Sequence, residues 1–230
     1  MVEIFRTVLA IHIICGGIAL FVAPGAMLTR KGGLWHRRWG KVYFWAMAIV
    51  AITALALSLL RPGLFLFLVA VFSFYLAFTG YRVLYRKTPQ QPANFLDWGG
   101  AALMLLGGVG LVGYGVYSLQ TSTFGLVPVI FGSIGLLVAA IDVRAFLRPS
   151  DDKRAWWFTH MNRMLGAYIA TVSAFSAVNF MFLPPLVRWL WPTVIGLAGS
   201  FIWARHYRRK FSGVVAGSKA VVQKHSAQHV

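Results

Sequence analysis

Seven runs of predominantly apolar residues, each long enough to cross a lipid bilayer, constrain this 230-residue chain more than any other feature. A hydrocarbon core of about 30 Å needs roughly 20 helical residues at about 1.5 Å each. The runs occupy residues 4–24, 40–60, 63–85, 95–119, 124–147, 156–182 and 187–207. They predict an all-α, seven-helix transmembrane domain over residues 1–207, followed by a basic cytoplasmic tail at 208–230.

Composition excludes a soluble fold. Hydrophobic residues make up 59% of the chain and charged residues 12%, whereas a soluble domain usually has about 25% charged residues. The net charge of +17 would suggest a nucleic-acid partner in a soluble protein. Here the basic residues lie between the apolar runs, so we expect the lipid bilayer to be the partner and expect no nucleic acid.

Lysine and arginine alternate between rich and poor loops, which predicts the topology. Eighteen of the 22 basic residues lie in the first, third and fifth loops and the tail, and three lie on the other side. Basic loops remain cytoplasmic in multi-pass proteins. The sequence therefore predicts an N-terminus outside and a C-terminus in the cytoplasm. The first run is followed by five basic residues and no polar mature domain, so we interpret it as a retained helix of a bacterial inner (plasma) membrane protein.

The fourth run is rich in glycine. Its seven glycines lie between positions 99 and 115. Small residues allow helix backbones to approach closely in lipid. The run therefore predicts a tightly packed helix.

Ionisable residues within or beside the apolar runs are costly and are therefore candidate functional residues. His12 lies in the first run, about 12 Å from its outer end. The other candidates gather near the predicted cytoplasmic face, at the ends of several helices. They are His36, Arg37, Asp97, Asp142, His160, Arg163 and His206.

The first chemistry that fits these residues is redox chemistry at a b-type haem. Such a haem in a helical bundle needs two facing imidazoles and nearby cations for its propionates. His36 and His160 are expected at matching depth, with Arg37 and Arg163 beside them. His12 is a further candidate ligand, but it lies roughly half a membrane away and would need another partner. A haem protein of this kind would exchange electrons with a quinone or a partner membrane complex.

Two other chemistries fit as well. In a zinc-dependent membrane hydrolase, two or three histidines and a carboxylate would hold the metal and leave one position for water. His36, His160 and His206 with Asp97 or Asp142 could supply those ligands. The remaining alternative has no cofactor, with the histidines acting as hydrogen-bond donors or a proton path. The chain would then be an accessory subunit of a membrane complex or a small-molecule transporter.

Several segments resemble an uncharacterised bacterial membrane family, domain of unknown function 2306. The segments are Ala10 to Leu20, His36 to Tyr43, Gly80 to Arg82 and His160 to Ala170. The resemblance implies a multi-pass membrane protein and brings no established activity. The run His36-Arg37-Arg38-Trp39-Gly40 is also similar, more loosely, to the histidine segments of membrane b-type cytochromes, which would make His36 an axial ligand.

Overall fold

A computed structural model describes the backbone of residues 2–88 and 90–227, with side chains through residue 211. All regular secondary structure in these residues is helical, which confirms the all-α fold with seven long helices. The helices are α1 (Val2–Leu28), α2 (Leu34–Leu60), α3 (Leu64–Arg82), α4 (Phe95–Ser118), α5 (Leu126–Leu147), α6 (Ala155–Asn179) and α7 (Pro185–Ala227). Short 3₁₀ turns at Val83–Tyr85 and Thr123–Gly125 extend α3 and precede α5.

Several helices extend beyond the apolar runs that predicted them. α1 continues past Pro24 to Leu28, and α2 begins at Leu34, six residues before its run. α7 continues twenty residues beyond its run. Residues with charged side chains in the headgroup region form helix hydrogen bonds equally well, so counting apolar residues makes these helices too short. The predicted tail thus begins within α7, and its side chains beyond residue 211 lie outside the described residues.

Six of the seven helices are long and apolar enough to cross a membrane, and α6 is the exception. With 25 residues it is long enough, but it contains no stretch as apolar as those of the other six helices. Its polar Arg163, Ser173 and Ser176 are buried inside the bundle. α6 packs against α3 and α7 and touches α1. Its polar residues are therefore shielded from lipid by neighbouring helices.

Consecutive helices pack on each other except α5 and α6. α3 is the most buried of the membrane-crossing candidates. α3 packs against α2, α4 and α6, while α1 and α7 lie at the periphery. We call the end that carries the connections 29–33, 86–94 and 148–154 and residues 203–211 of α7 the basic end. The other end carries the connections 61–63, 119–125 and 180–184. All the predicted site residues except His12 belong to the basic end.

Glycine allows α4 and α5 to pack at backbone distance, as the sequence predicts. A Cβ atom at Gly115 would lie 2.7 Å from the carbonyl oxygen of Gly125, and one at Gly132 would lie 2.8 Å from that of Gly108. Gly99 and Gly113, by contrast, have open space where a Cβ atom would be. The glycines thus serve packing at specific positions rather than along the whole of α4.

Candidate functional site: a cavity at the basic end

A cavity of about 480 Å³ opens at the basic end, between the last turns of α1 and α3, the first turns of α2 and α6, and α7. We call it the inner cavity. Its apolar part is formed largely by methionine, leucine and aromatic side chains. The lining residues used below are His36, His160, Lys31, Arg37, Lys41, Lys87, Tyr43, Tyr81 and Trp203.

His36 and His160 meet in this cavity. Their ring centroids are 6.2 Å apart and the rings are nearly perpendicular, at 79°. His36 stands in the first turn of α2 and His160 in the second turn of α6. Because the helices run in the same direction here, with α1 and α3 returning beside them, two distant sequence positions come to the same depth.

Backbone carbonyls fix the tautomer of both rings. The Nδ1 of His36 is 2.9 Å from the carbonyl oxygen of Ala26, and the Nδ1 of His160 is 2.7 Å from that of Gly80. A carbonyl oxygen can only accept, so each Nδ1 carries the hydrogen and donates it. In the neutral rings each Nε2 therefore keeps its lone pair, and neither Nε2 has a hydrogen-bond partner among the described residues. This is the arrangement that orients metal-ligating histidines.

Four cations line the inner cavity, and no acidic residue of the described chain does. They are Lys31, Arg37, Lys41 and Lys87. The Nζ of Lys31 donates to the carbonyl oxygens of Ala26 and Met27 at the end of α1 and lies 4.9 Å from the centre of the Trp203 ring. Burial lowers the pKa of Lys31, since the ammonium group has lost part of its hydration. A ligand in this cavity would meet positive charge around the two imidazoles.

Asp97 is engaged elsewhere. Its carboxylate is 2% exposed and accepts two hydrogen bonds from Arg82, at 3.1 and 2.9 Å, and it pairs with Arg86 at 3.5 Å. It also accepts a bond from the backbone N–H of Asn94, whose side chain caps α4 in return. The carboxylate therefore joins α3 to α4 and caps α4.

Asp142 forms a second buried pair. It accepts a 2.9 Å bond from Arg163 and a 2.7 Å bond from the hydroxyl of Tyr75. Arg163 also donates to the carbonyl oxygen of Val138, and it is not one of the residues that line the inner cavity. This network ties α3, α5 and α6 together and leaves Arg37, but not Arg163, beside the histidine pair.

The other two histidines of interest lie apart from the cavity. The Nδ1 of His12 is 3.0 Å from the hydroxyl oxygen of Thr53, which itself donates to the backbone of α2. The hydroxyl therefore accepts from His12, and the bond joins α1 to α2. His206 packs edge-on against Tyr207 and is not among the lining residues.

The described residues contain no group of three or more histidine, cysteine, aspartate or glutamate side chains arranged to hold a metal. The structure brings His36 and His160 together, and it leaves Asp97, Asp142 and His12 in separate contacts. A structural or catalytic zinc ion normally has three or four protein ligands. A haem needs only two, because its porphyrin supplies four of the six donors itself.

Sequence reasoning missed some of the residues that shape the cavity. Lys31, Lys87 and Trp203 lie far apart in the chain, and the sequence did not single them out as candidate residues. The carbonyl groups of Ala26 and Gly80 carry no side-chain signal at all. Lys31 and Lys87 could have been predicted from their positions. Each lies just beyond the end of a helix, α1 or α3, that flanks His36 and His160.

The comparison with known proteins bears on the first half of the fold. Residues 9–104 match the family model described as predicted membrane protein (DUF2306). The resemblance expected from the sequence is confirmed over that span, which runs from α1 into α4. It contains His12, His36 and Asp97 but not His160. No curated protein and no solved structure shows a significant match. With its apolar helices, the chain is a multi-pass integral membrane protein.

Proposed function

We propose that this protein is a membrane redox protein that holds one b-type haem between His36 and His160 in the inner cavity. The observation that carries the proposal is the pair of imidazoles, each tied through Nδ1 to a backbone carbonyl and each with an uncommitted Nε2. Two imidazoles that share one metal, with bonds of about 2 Å, have ring centroids roughly 5–6.5 Å apart. The observed separation of 6.2 Å lies in that range.

The surroundings of the pair favour haem over a bare metal ion. The space of about 480 Å³ is far larger than one ion needs and is walled mainly by apolar and aromatic side chains. Lys31, Arg37, Lys41 and Lys87 offer partners for two propionate groups. A bound haem would supply one-electron chemistry, while the chain supplies the axial imidazoles, the propionate partners and an apolar wall.

The electron partner follows from the position of the cavity. It opens near the predicted cytoplasmic face, and its walls on α1 and α7 belong to peripheral helices. A membrane-soluble quinol or a partner membrane complex could approach there within electron-transfer distance. The zinc hydrolase is less well supported, because Asp97 and Asp142, the carboxylates it needs, are held by arginines.

Absorption spectroscopy tests the proposal. The purified protein, or the protein titrated with hemin, should show a Soret band and the sharp visible bands of a low-spin haem upon reduction. His36→Ala and His160→Ala should each weaken haem binding at least about tenfold, since even outer partners of metal ligands are worth 10–100-fold. Added imidazole should restore the low-spin spectrum in His36→Ala.

His206→Ala is the matched control, because this residue also lies near the basic end but outside the inner cavity. Its spectrum should equal that of the wild type, as should that of His12→Ala. A protein that binds no hemin, or one whose spectrum is unchanged when both His36 and His160 are replaced, would overturn the haem proposal. Stoichiometric zinc in such a preparation would favour the hydrolase, and a colourless, metal-free one the cofactor-free alternative.

A further inference from the structure

A second cavity of about 500 Å³ adjoins the inner one, between the end of α1 and the stretch of α7 around Tyr207. We call it the outer cavity. It shares Met27, Lys31, Trp157 and Trp203 with the inner cavity. Its remaining lining residues are Leu28, Thr29, Arg30, Tyr207, Lys210 and Phe211. The contact between Lys31 and the Trp203 ring stands where the two cavities meet.

The charge of the outer cavity is one-sided. Arg30, Lys31 and Lys210 line it, and no acid of the described chain does. Neither Arg30 nor Lys210 forms an ion pair with an acid among the described residues. Lys31 is partly desolvated, and its ammonium caps the carbonyl groups at the end of α1, which would otherwise repel an anion. A negatively charged group would be stabilised here by three cations.

The other walls of the outer cavity are aromatic and apolar. Trp157 packs against Tyr207 and Phe211, with ring centroids 4.8 and 5.3 Å apart. Arg154 at the start of α6 donates to the carbonyl oxygen of Phe211 at 3.1 Å and so fixes α7 beside it. Tryptophan and tyrosine at this depth are typical of the headgroup boundary of a membrane. The walls are therefore held in place and suited to an amphiphile.

The space between α1 and α7 is open on the lipid side. α1 packs on α2 and touches α6, and α7 packs on α6, but α1 and α7 do not pack on each other within the described residues. Only 11% of the most apolar stretch of each helix is buried inside the bundle. Acyl chains can therefore lie between them, below the outer cavity, without displacing a protein contact.

We propose that the outer cavity is a binding site for one anionic phospholipid, whose phosphate lies among Arg30, Lys31 and Lys210 and whose acyl chains lie between α1 and α7. The inference goes beyond the haem proposal and does not depend on it. The bound lipid lies beside the wall of the inner cavity that α1 and α7 form.

The test measures lipid retention by the full-length protein in detergent, using native mass spectrometry. Phosphatidylglycerol should remain bound with a stoichiometry of one under conditions that remove phosphatidylcholine. The double variant Arg30→Gln/Lys210→Gln should bind phosphatidylglycerol about thirtyfold more weakly, because each cation near a lipid surface contributes roughly fivefold in affinity. Both side chains are exposed, so the variant should fold normally, which circular dichroism checks.

Arg148→Gln/Lys153→Gln is the matched control, since it removes the same charge from an exposed connection at the same end. It should change retention less than about twofold. Equal losses in both double variants would mean unspecific attraction to a basic protein and would overturn the proposal. So would displacement of the lipid by millimolar inorganic phosphate, which would identify a site for free phosphate. Because no haem is needed for the measurement, a failure of the haem proposal would leave this result interpretable.

Discussion

At the residue scale, the carboxylates and the histidines of the basic end have separate roles. Asp142 is 4% exposed and accepts hydrogen bonds from both Arg163 and Tyr75, so its carboxylate is paired inside the protein. His36 and His160 each use one ring nitrogen for positioning and keep the other uncommitted. The acids form ion pairs between helices, and each imidazole keeps its Nε2 uncommitted.

Asp142→Asn should destabilise the protein by about 3–5 kcal/mol, because it leaves the buried Arg163 without its counter-charge. Thermal unfolding in detergent measures the effect. The double variant Asp142→Leu/Arg163→Met removes both charges and should recover most of the loss. If the single and double variants are equally unstable, the ion pair is not the cause. Asp151→Asn, in the exposed α5–α6 connection, is the control and should change stability by less than about 0.5 kcal/mol.

At the element scale, the closely packed pair of α4 and α5 supports α3, whose Gly80 carbonyl oxygen accepts a hydrogen bond from His160. α3 packs against α4, α5 and α6, so a shift of the α4–α5 pair would reach Tyr75 and the histidine pair through α3. Backbone contact at Gly115 and Gly132 sets the distance between α4 and α5. Glycines of the glycine-rich run thus set the distance between α4 and α5.

Gly115→Ala should destabilise the bundle by more than about 1 kcal/mol, because its Cβ atom would meet backbone atoms of α5 that cannot move independently. Gly113→Ala, two residues away in the same helix, should be neutral or stabilise by up to about 1 kcal/mol, since alanine favours the helix and its Cβ enters open space. Unfolding curves of the two variants, measured side by side, check this. The reverse order of stability would contradict the packing.

At the scale of the whole molecule, the charges divide the bundle into a basic end with both cavities and an opposite end with few cations. Arg6, Arg61 and Arg188 are the only basic residues assigned to the opposite end. At the opposite end, aromatic side chains pack between the helices, where Phe65 and Phe124 contact Trp189. The positive-inside rule then predicts that the cavities face the cytoplasm.

Cysteine labelling tests this orientation, because Cys15 is the single cysteine of the chain and can be replaced by alanine. In that background, Thr121→Cys in the α4–α5 connection should react with an impermeant maleimide added to intact cells. Thr88→Cys, exposed in the α3–α4 connection, should react only after the membrane is opened. The opposite labelling pattern would reverse the topology and place the cavities outside.

The sequence predicted the elements of this fold better than their ends. The apolar runs identified all seven helices, but the start of α2 was placed six residues too late, because Arg37 and Arg38 were counted as loop. The same count treated α6 like the others, although its polar residues leave it without a stretch as apolar as those of the other six helices. Hydropathy reports which side chains tolerate lipid, whereas hydrogen bonding decides where a helix ends.

By itself the sequence determined the all-helical fold, the gathering of basic residues at one end of the bundle and the common depth of His36 and His160. Each of these follows from apolar length and charge position along one chain. Only the tertiary structure decided which groups pair. It joined Asp142 to Arg163 and Asp97 to Arg82, and it turned the two imidazoles toward one cavity. Depth in the membrane is a property of a single helix, whereas the partner of a side chain depends on how neighbouring helices are rotated and packed.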